Sequence, residues 1–414
     1  MKIAIIGGGI SGLMAAHLLS REHHVRLFEA APRLGGHTYT VPVKEGDREL
    51  WIDMGFIVFN DRNYPQFTRL LDDLGVASQP STMSFSVRCE RSGLEYNGGS
   101  LNQLFAQRSN LLRSSFHRML RDILRFHRTA PRLLESEEAP TLGQFLRQEG
   151  FSGPFVDHYL LPMTGAIWSA RSDQMLDFPA RTLITFLDHH GLLQVRGRPQ
   201  WRAVRGGSRS YVEALQARLG ERIVLGTPID EVRRTPNGVE VKPQRAEAQC
   251  FDQVVIATHS DQALDLLADP TLAEREILSA IEYQESDVVL HTDASFLPRR
   301  PLARASWNYH LNAPQPQGVQ VTYSMNRLQS LETQREYCVT LNRTTEIDPG
   351  SILERQRFAH PIFTGEAVAA QKRWSEINGT RRTWFCGAYW SWGFHEDGAR
   401  SACRVAEAIR GRDG

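Results

Sequence analysis

Short apolar runs and helical stretches alternate along the first sixty residues. Ile3 to Ile6 is a run rich in β-branched residues, which predicts a strand buried on both faces of a parallel sheet. Leu13 to about Arg21 predicts a helix, and Val25 to Phe28 a second strand. Beyond residue 60 that order lapses. Tyr64 to Leu74 has helical spacing, Ser84 to Cys89 reads as a strand, and Leu104 to Leu134 is strongly helical and basic. In the last stretch Leu112, Phe116, Met119, Leu120, Ile123 and Leu124 mark one apolar face, while Arg113, Arg118, Arg121, Arg125 and Arg128 carry the charge. Such a helix either packs on its own domain with solvated arginines or lies against anionic lipid.

The α/β pattern resumes near residue 200, with a helix from about Tyr211 to Leu219 and strands at Ile223–Leu225 and Phe251–Thr258. Between 263 and about 371, Val288–His291, Arg304–His310, Gln320–Ser324 and Glu336–Leu341 predict an antiparallel sheet. A strand from Thr383 to Gly387, a loop, and a helix from Asp397 or Gly398 through Ile409 close the chain. These pieces predict an α/β domain made of 1–60, 200–262 and 372–414. An α+β domain made of 61–199 and 263–371 is inserted into it.

Bulk composition narrows this picture only a little. A chain of 414 residues is long enough for two or three domains, and 41% hydrophobic and 23% charged content suits a soluble protein. The net charge of +1 argues against general nucleic-acid binding. Five cysteines without C-x-x-C spacing predict neither disulfides nor zinc, and no metal site is expected. The pairs His23-His24 and His189-His190 read as surface residues. With the first strand starting at residue 2 or 3 and no apolar run long enough to span a bilayer, we expect a cytoplasmic protein, or one peripheral to the inner membrane face through the basic helix 111–128.

The chemistry begins at the first turn. Gly7, Gly9 and Gly12 have the G-x-G-x-x-G spacing between a strand and a helix. The first glycine permits the turn, the second lets backbone approach a pyrophosphate, and the third lets the helix lie close on the sheet. Phosphates would sit at the helix N-terminus, near Ile10 and Ser11. Glu29, at the end of the second strand, is placed to accept ribose hydroxyls.

The glycine pair Gly35-Gly36, five residues beyond Glu29-Ala30, and the segment Asp53-Met-Gly55-Phe56 resemble the flavin amine oxidase and phytoene desaturase superfamily. Arg205-Gly206-Gly207-Ser208, Thr227-Pro228-Ile229, Ala257-Thr258 and the final Cys386-Gly387-Ala-Tyr389-Trp390…Phe394-His395-Glu396-Asp397-Gly398 resemble its later motifs. The resemblance implies a glutathione-reductase-like FAD domain with an inserted substrate domain, and non-covalent FAD. It places Ala30, Arg33, His37, Gly55, Phe56, Ile229, Ala257, Thr258, Gly387, Glu396, Asp397 and Gly398 against the cofactor, beside the residues named above. It also places Tyr323, Tyr389, Trp390 and Phe394 in the substrate pocket, with Trp307, Tyr309 and His395 nearest the chemistry. Ser324–Gln329 and Val339–Asn342 further resemble a bacterial branch often encoded near cyclopropane-fatty-acid-synthase-like methyltransferases.

Three departures bear on the substrate. Relatives carry a lysine in the sheet over the flavin, whereas Lys2, Lys44, Lys242 and Lys372 all lie outside the predicted strands of that sheet. The tyrosine of their aromatic cage is replaced by Phe394 or His395. Arginines flanking their glycine pair are replaced by Ala31 and His37, leaving the pyrophosphate to backbone or to Arg33. The expected activity is therefore FAD-dependent removal of a hydride from a hydrophobic substrate, a fatty-acyl lipid foremost. Electrons would pass to oxygen or another acceptor, and His395 would serve as acid or base because its free pKa is near neutral. Two alternatives stay open: oxidation of an amine, or a redox- or light-responsive flavoprotein without catalysis.

Overall fold

The computed structural model describes residues 1–136, 138–168, 171–194, 197–311 and 320–411. Its centre is a five-stranded parallel sheet in which Lys2–Ile6 lies between His24–Phe28 and Gln253–Ile256, with Ile223–Val224 and Thr383–Phe385 at the edges. The alternation of the first strand explains why its apolar run is unbroken. Ile3 and Ile5 face the helices Ile10–Leu19 and His395–Arg410, in one cluster with Leu13, Val405 and Trp384. Ala4 and Ile6 face the other way, toward Val232, Val239 and Val241 of a three-stranded antiparallel sheet. All four are 5% exposed or less. A fully buried isoleucine contributes on the order of 2 kcal/mol, so this strand anchors both layers.

The second sheet has seven strands. It joins Phe85–Cys89 and Leu94–Asn97 to Trp307–Leu311, Val321–Ser324, Cys338–Leu341, Tyr283–His291 and Ile352–Pro361. Its neighbours are antiparallel except for Trp307–Leu311, which runs parallel to Phe85–Cys89. Sequence from both sides of the central α/β segment thus meets in one sheet. Helices from 142 to 189 pack over it, sharing a core with Tyr309, Val321 and Val339.

Several expectations change. The helix Pro65–Leu74, assigned above to the 61–199 piece, buries Phe67, Leu70 and Leu71 in the nucleotide-side core, next to Tyr211 and Val405. The basic stretch is broken: a 3₁₀ turn at Arg108–Leu112 precedes the helix Ser114–Thr129. That helix buries Phe116, Met119 and Phe126, whereas Leu112 and Leu124 point outward at 93% and 60% exposure. Spacing alone could not fix where the helix begins. His190 is not a surface residue; it is 5% exposed and stacks on Phe186 at 3.9 Å. The five cysteines are free thiols, no described helix is long and apolar enough to cross a membrane, and no metal-binding group occurs among the described residues.

Candidate functional site

Two glycine turns face each other at the carboxyl end of the parallel sheet. Gly7 adopts φ +105°, a conformation only glycine takes easily, and a Cβ there would meet the Ala257 carbonyl at 2.8 Å. Gly12 packs so closely that a Cβ would lie 1.8 Å from the Gly7 carbonyl oxygen. Gly9 is different: a Cβ there would meet nothing within 4 Å. Gly36 lies just beyond it, its own Cβ direction 3.2 Å from Gly9 Cα, and the Gly35 amide donates to the Gly8 carbonyl at 2.8 Å. Open space over a glycine pair, at the start of a helix that no side chain caps, is what a pyrophosphate needs.

The last helix reaches the same point. A Cβ on Gly398 would strike Ile10 Cγ2 and Ser11 Oγ, both at 2.8 Å, so the first turn of His395–Arg410 presses against the first turn of Ile10–Leu19. At the far side the Glu29 carboxylate accepts from the Gly8 and Ala31 amides at 2.6 and 2.8 Å. The Thr227 amide donates to the Glu29 carbonyl and the Gly226 amide to that of Ala31, which brings Ile229 toward Glu29 and exposed Ala30. Ala257 and Thr258 follow the third parallel strand beside Gly7.

The two basic residues expected at the glycine cradle, Arg33 and His37, are held by other partners. Arg33 donates to the carbonyls of Leu34, Gly36 and Thr38 at 3.2 to 3.3 Å and covers the Tyr39 ring. These bonds brace the loop. His37 donates from Nε2 to the Ala359 carbonyl at 3.0 Å and sits among His259, His360 and Phe358. Burial and the neighbouring His259 push its pKa down to about 4, so it is neutral at pH 7. A pyrophosphate there is left to backbone amides and two helix N-termini. FAD fits these residues.

The remaining acidic residues of the last motif are committed elsewhere. Glu396 accepts from the Gln66 and Phe67 amides, both at 3.0 Å, and so caps the helix Pro65–Leu74. Asp397 accepts from the Phe394 amide at 3.0 Å and from Arg400 at 2.6 Å, closing its own helix. Asp53, fully buried, accepts from Thr40, Ser208 and Gln329 and ties the Gly207-Ser208 turn to its own strand. Gly55 is required by crowding, since a Cβ would lie 1.9 Å from the His37 carbonyl oxygen.

His395 is the largest revision. Its ring stacks on Phe56 at 3.7 Å and 7°, its Nε2 lies 2.9 Å from Tyr211 Oη, and Tyr211 Oη lies 2.6 Å from Thr38 Oγ1. Burial, with His37 nearby, drives its pKa to about 3. The ring is therefore held neutral at pH 7. It anchors the last helix to the loop after the glycine pair.

The aromatic candidates separate into two groups. Trp307, Tyr309 and Tyr323 share one face of the seven-stranded sheet, with Trp307 against Tyr323 edge-on at 5.3 Å. Phe394 meets the same core through Phe186, at 5.0 Å and nearly parallel, and Trp168 donates from Nε1 to the Trp392 carbonyl at 3.1 Å. Tyr389 and Trp390, expected in the same pocket, lie instead against Ile281, Ala367 and Tyr283. The Tyr389 ring crosses directly over Gly387, where a Cβ would lie 2.2 Å from it. The loop turns there before it reaches Trp392, so only its second half faces the inserted domain. Trp168, Phe186 and Tyr211 went unflagged in the sequence, because an aromatic on a helix is ordinarily core.

Residues 10–328 match the family described as flavin containing amine oxidoreductase. An L-amino-acid oxidase of Siganus canaliculatus is 22% identical over 71% of the chain, and the chain spans 57% of that protein's length. Among solved structures, an engineered putrescine oxidase superposes with a TM-score of 0.73 at 14% identity, covering 99% of both chains. A CLA-producing fatty acid isomerase from P. acnes gives a TM-score of 0.69 at 17% identity, covering 99% of this chain and 97% of that one. At such identities the structural likeness speaks for the fold, and the match over 10–328 speaks for the family. The chain belongs to the flavin-containing amine oxidoreductases, with FAD as its cofactor.

Proposed function

We propose that the chain is an FAD-dependent oxidoreductase acting on a hydrophobic substrate of the fatty-acyl class, which enters between the seven-stranded sheet and the helices above it. The observation that carries this reading is the makeup of that space. Trp307, Tyr309, Tyr323, Trp168, Phe186 and Phe394 meet there in one apolar cluster. All four lysines lie on other elements: Lys2 in the parallel sheet, Lys44 in a two-stranded antiparallel pair, Lys242 in the three-stranded antiparallel sheet and Lys372 at a helix end. The cofactor supplies two-electron oxidation, with oxygen or another acceptor completing turnover. The chain's own part is to desolvate and align the substrate. The Trp307 indole nitrogen, buried without a hydrogen-bond partner among the described residues, is a donor that a substrate carbonyl or carboxylate would satisfy. A cytoplasmic setting with peripheral membrane contact suits such a substrate.

Oxidation of a hydrophobic amine is the second reading, supported by the family and by relatives named as oxidases of L-amino acids and putrescine. Anaerobic mixing of the holoprotein with fatty acids, acyl esters and a panel of amines decides between them. Loss of the oxidised-flavin band with acyl compounds alone supports the first. Loss with amines alone, followed by peroxide release in air, replaces it with the second. Loss with neither removes both.

A further inference from the structure

Among the described residues, seven large hydrophobic side chains stand exposed, and four of them fall between residues 101 and 124: Leu101, Leu111, Leu112 and Leu124. Residues 101–134 also hold seven arginines against one acidic residue, Asp122, giving +6 in a chain whose total is +1. Asp122 does not offset this outward. It is buried, accepts from the Ser152 amide at 3.0 Å, and pairs with Arg125, which stacks on Phe151 at 4.1 Å.

The helix Ser114–Thr129 shows how these groups are displayed. Phe116, Met119 and Phe126 take its inner side. On the outer side His117, Arg121, Leu124 and Arg128 recur at three- and four-residue spacing, one stripe along the axis, with Arg118 flanking it. Arg118, Arg121 and Arg128 have no acidic partner among the described residues. The turn before the helix carries Leu111 and Leu112, held by a bond between His117 Nε2 and the Leu111 carbonyl at 2.8 Å. Exposed leucines beside arginines without acidic partners match the two layers of a membrane surface: acyl chain and anionic headgroup.

We propose that this face docks the protein on a bilayer containing anionic phospholipid. Leu111, Leu112 and Leu124 insert among the acyl chains, and Arg118, Arg121 and Arg128 lie at the phosphates. The inference sharpens the peripheral contact suggested above but does not depend on which substrate is oxidised, and its test reads no turnover. The full-length holoprotein is sedimented with phosphatidylcholine vesicles, with and without phosphatidylglycerol. The wild-type protein is expected to pellet with the anionic vesicles only, and less as salt is raised. Leu112→Asp/Leu124→Asp should lower partitioning about tenfold or more. Arg118→Glu/Arg121→Glu should abolish the preference for anionic lipid. Both variants should keep the wild-type melting temperature and flavin content, since neither touches the core.

Three results overturn the proposal. The wild-type protein does not pellet, or its binding ignores salt, or the leucine pair changes nothing. A dimer in sedimentation equilibrium that the leucine variant dissolves, with no vesicle binding, would assign the face to a second copy instead.

Discussion

A single methyl group tells the glycines of the first turn apart. At Gly12 it would collide with the Gly7 carbonyl at 1.8 Å, so Gly12→Ala should cost about 3 kcal/mol or more, read as a lowered denaturant midpoint. At Gly9 it meets open space, and the backbone angles there suit any residue. Gly9→Val should therefore fold as wild type and lose only the ligand. His395 gives the second residue-scale prediction. Tyr211→Phe removes its hydrogen-bond partner in a buried setting, which should cost about 1–2 kcal/mol in the same measurement. With its pKa near 3, His395 should leave no inflection in the pH dependence of flavin reduction between pH 6 and 8. A limb in that range that vanishes in His395→Asn would restore it as an acid or base.

At the scale of elements, the last helix is held by charges facing inward. Glu396 caps the helix Pro65–Leu74 from across the core, and burial raises its pKa to about 7. Glu396→Ala should leave two amides of that helix uncapped and cost about 1–2 kcal/mol. Much of this arrangement could be read beforehand. The parallel strands, the glycine turn and the closing strand-loop-helix were legible because each depends on residues adjacent in sequence. Which chain partner each side chain meets was not. Glu396 and Arg33 carry charges a cofactor could use, and only packing shows that backbone groups already occupy them. Tyr389, Trp390 and Phe394 stand within six residues of each other, yet the turn at Gly387 sends the first two to another cluster. The outward turn of Leu112 was equally hidden, since helical spacing does not say where a helix starts.

For the whole molecule, buried histidines set the pH response. His37, His190 and His259 are held near 4, and His360 and His395 near 3, chiefly by burial. Each folded value lies below the ordinary 6.5, so the unfolded chain takes up more protons. The stability they contribute is present above pH 6.5 and is lost as pH falls toward 4. Asp53 and Glu396, raised to about 6 and about 7, act oppositely: the stability linked to their protonation is present at low pH and lost as pH rises through those values. With His127, His291 and His310 also held near 4, and Asp397 also raised, these eight lowered histidines outweigh the three raised acids, so the melting temperature should fall between pH 6.5 and 5. A flat or rising trend would show that the histidines are solvated in solution.

Three stretches far apart in sequence converge on one glycine cradle, and the account stands on that cradle binding a flavin dinucleotide through backbone alone. Titrating FAD into flavin-stripped protein tests it directly. Wild type should take up FAD stoichiometrically, while Gly9→Val, melting at the wild-type temperature, should take up none. A folded Gly9→Val protein that binds FAD as tightly as wild type would contradict the account.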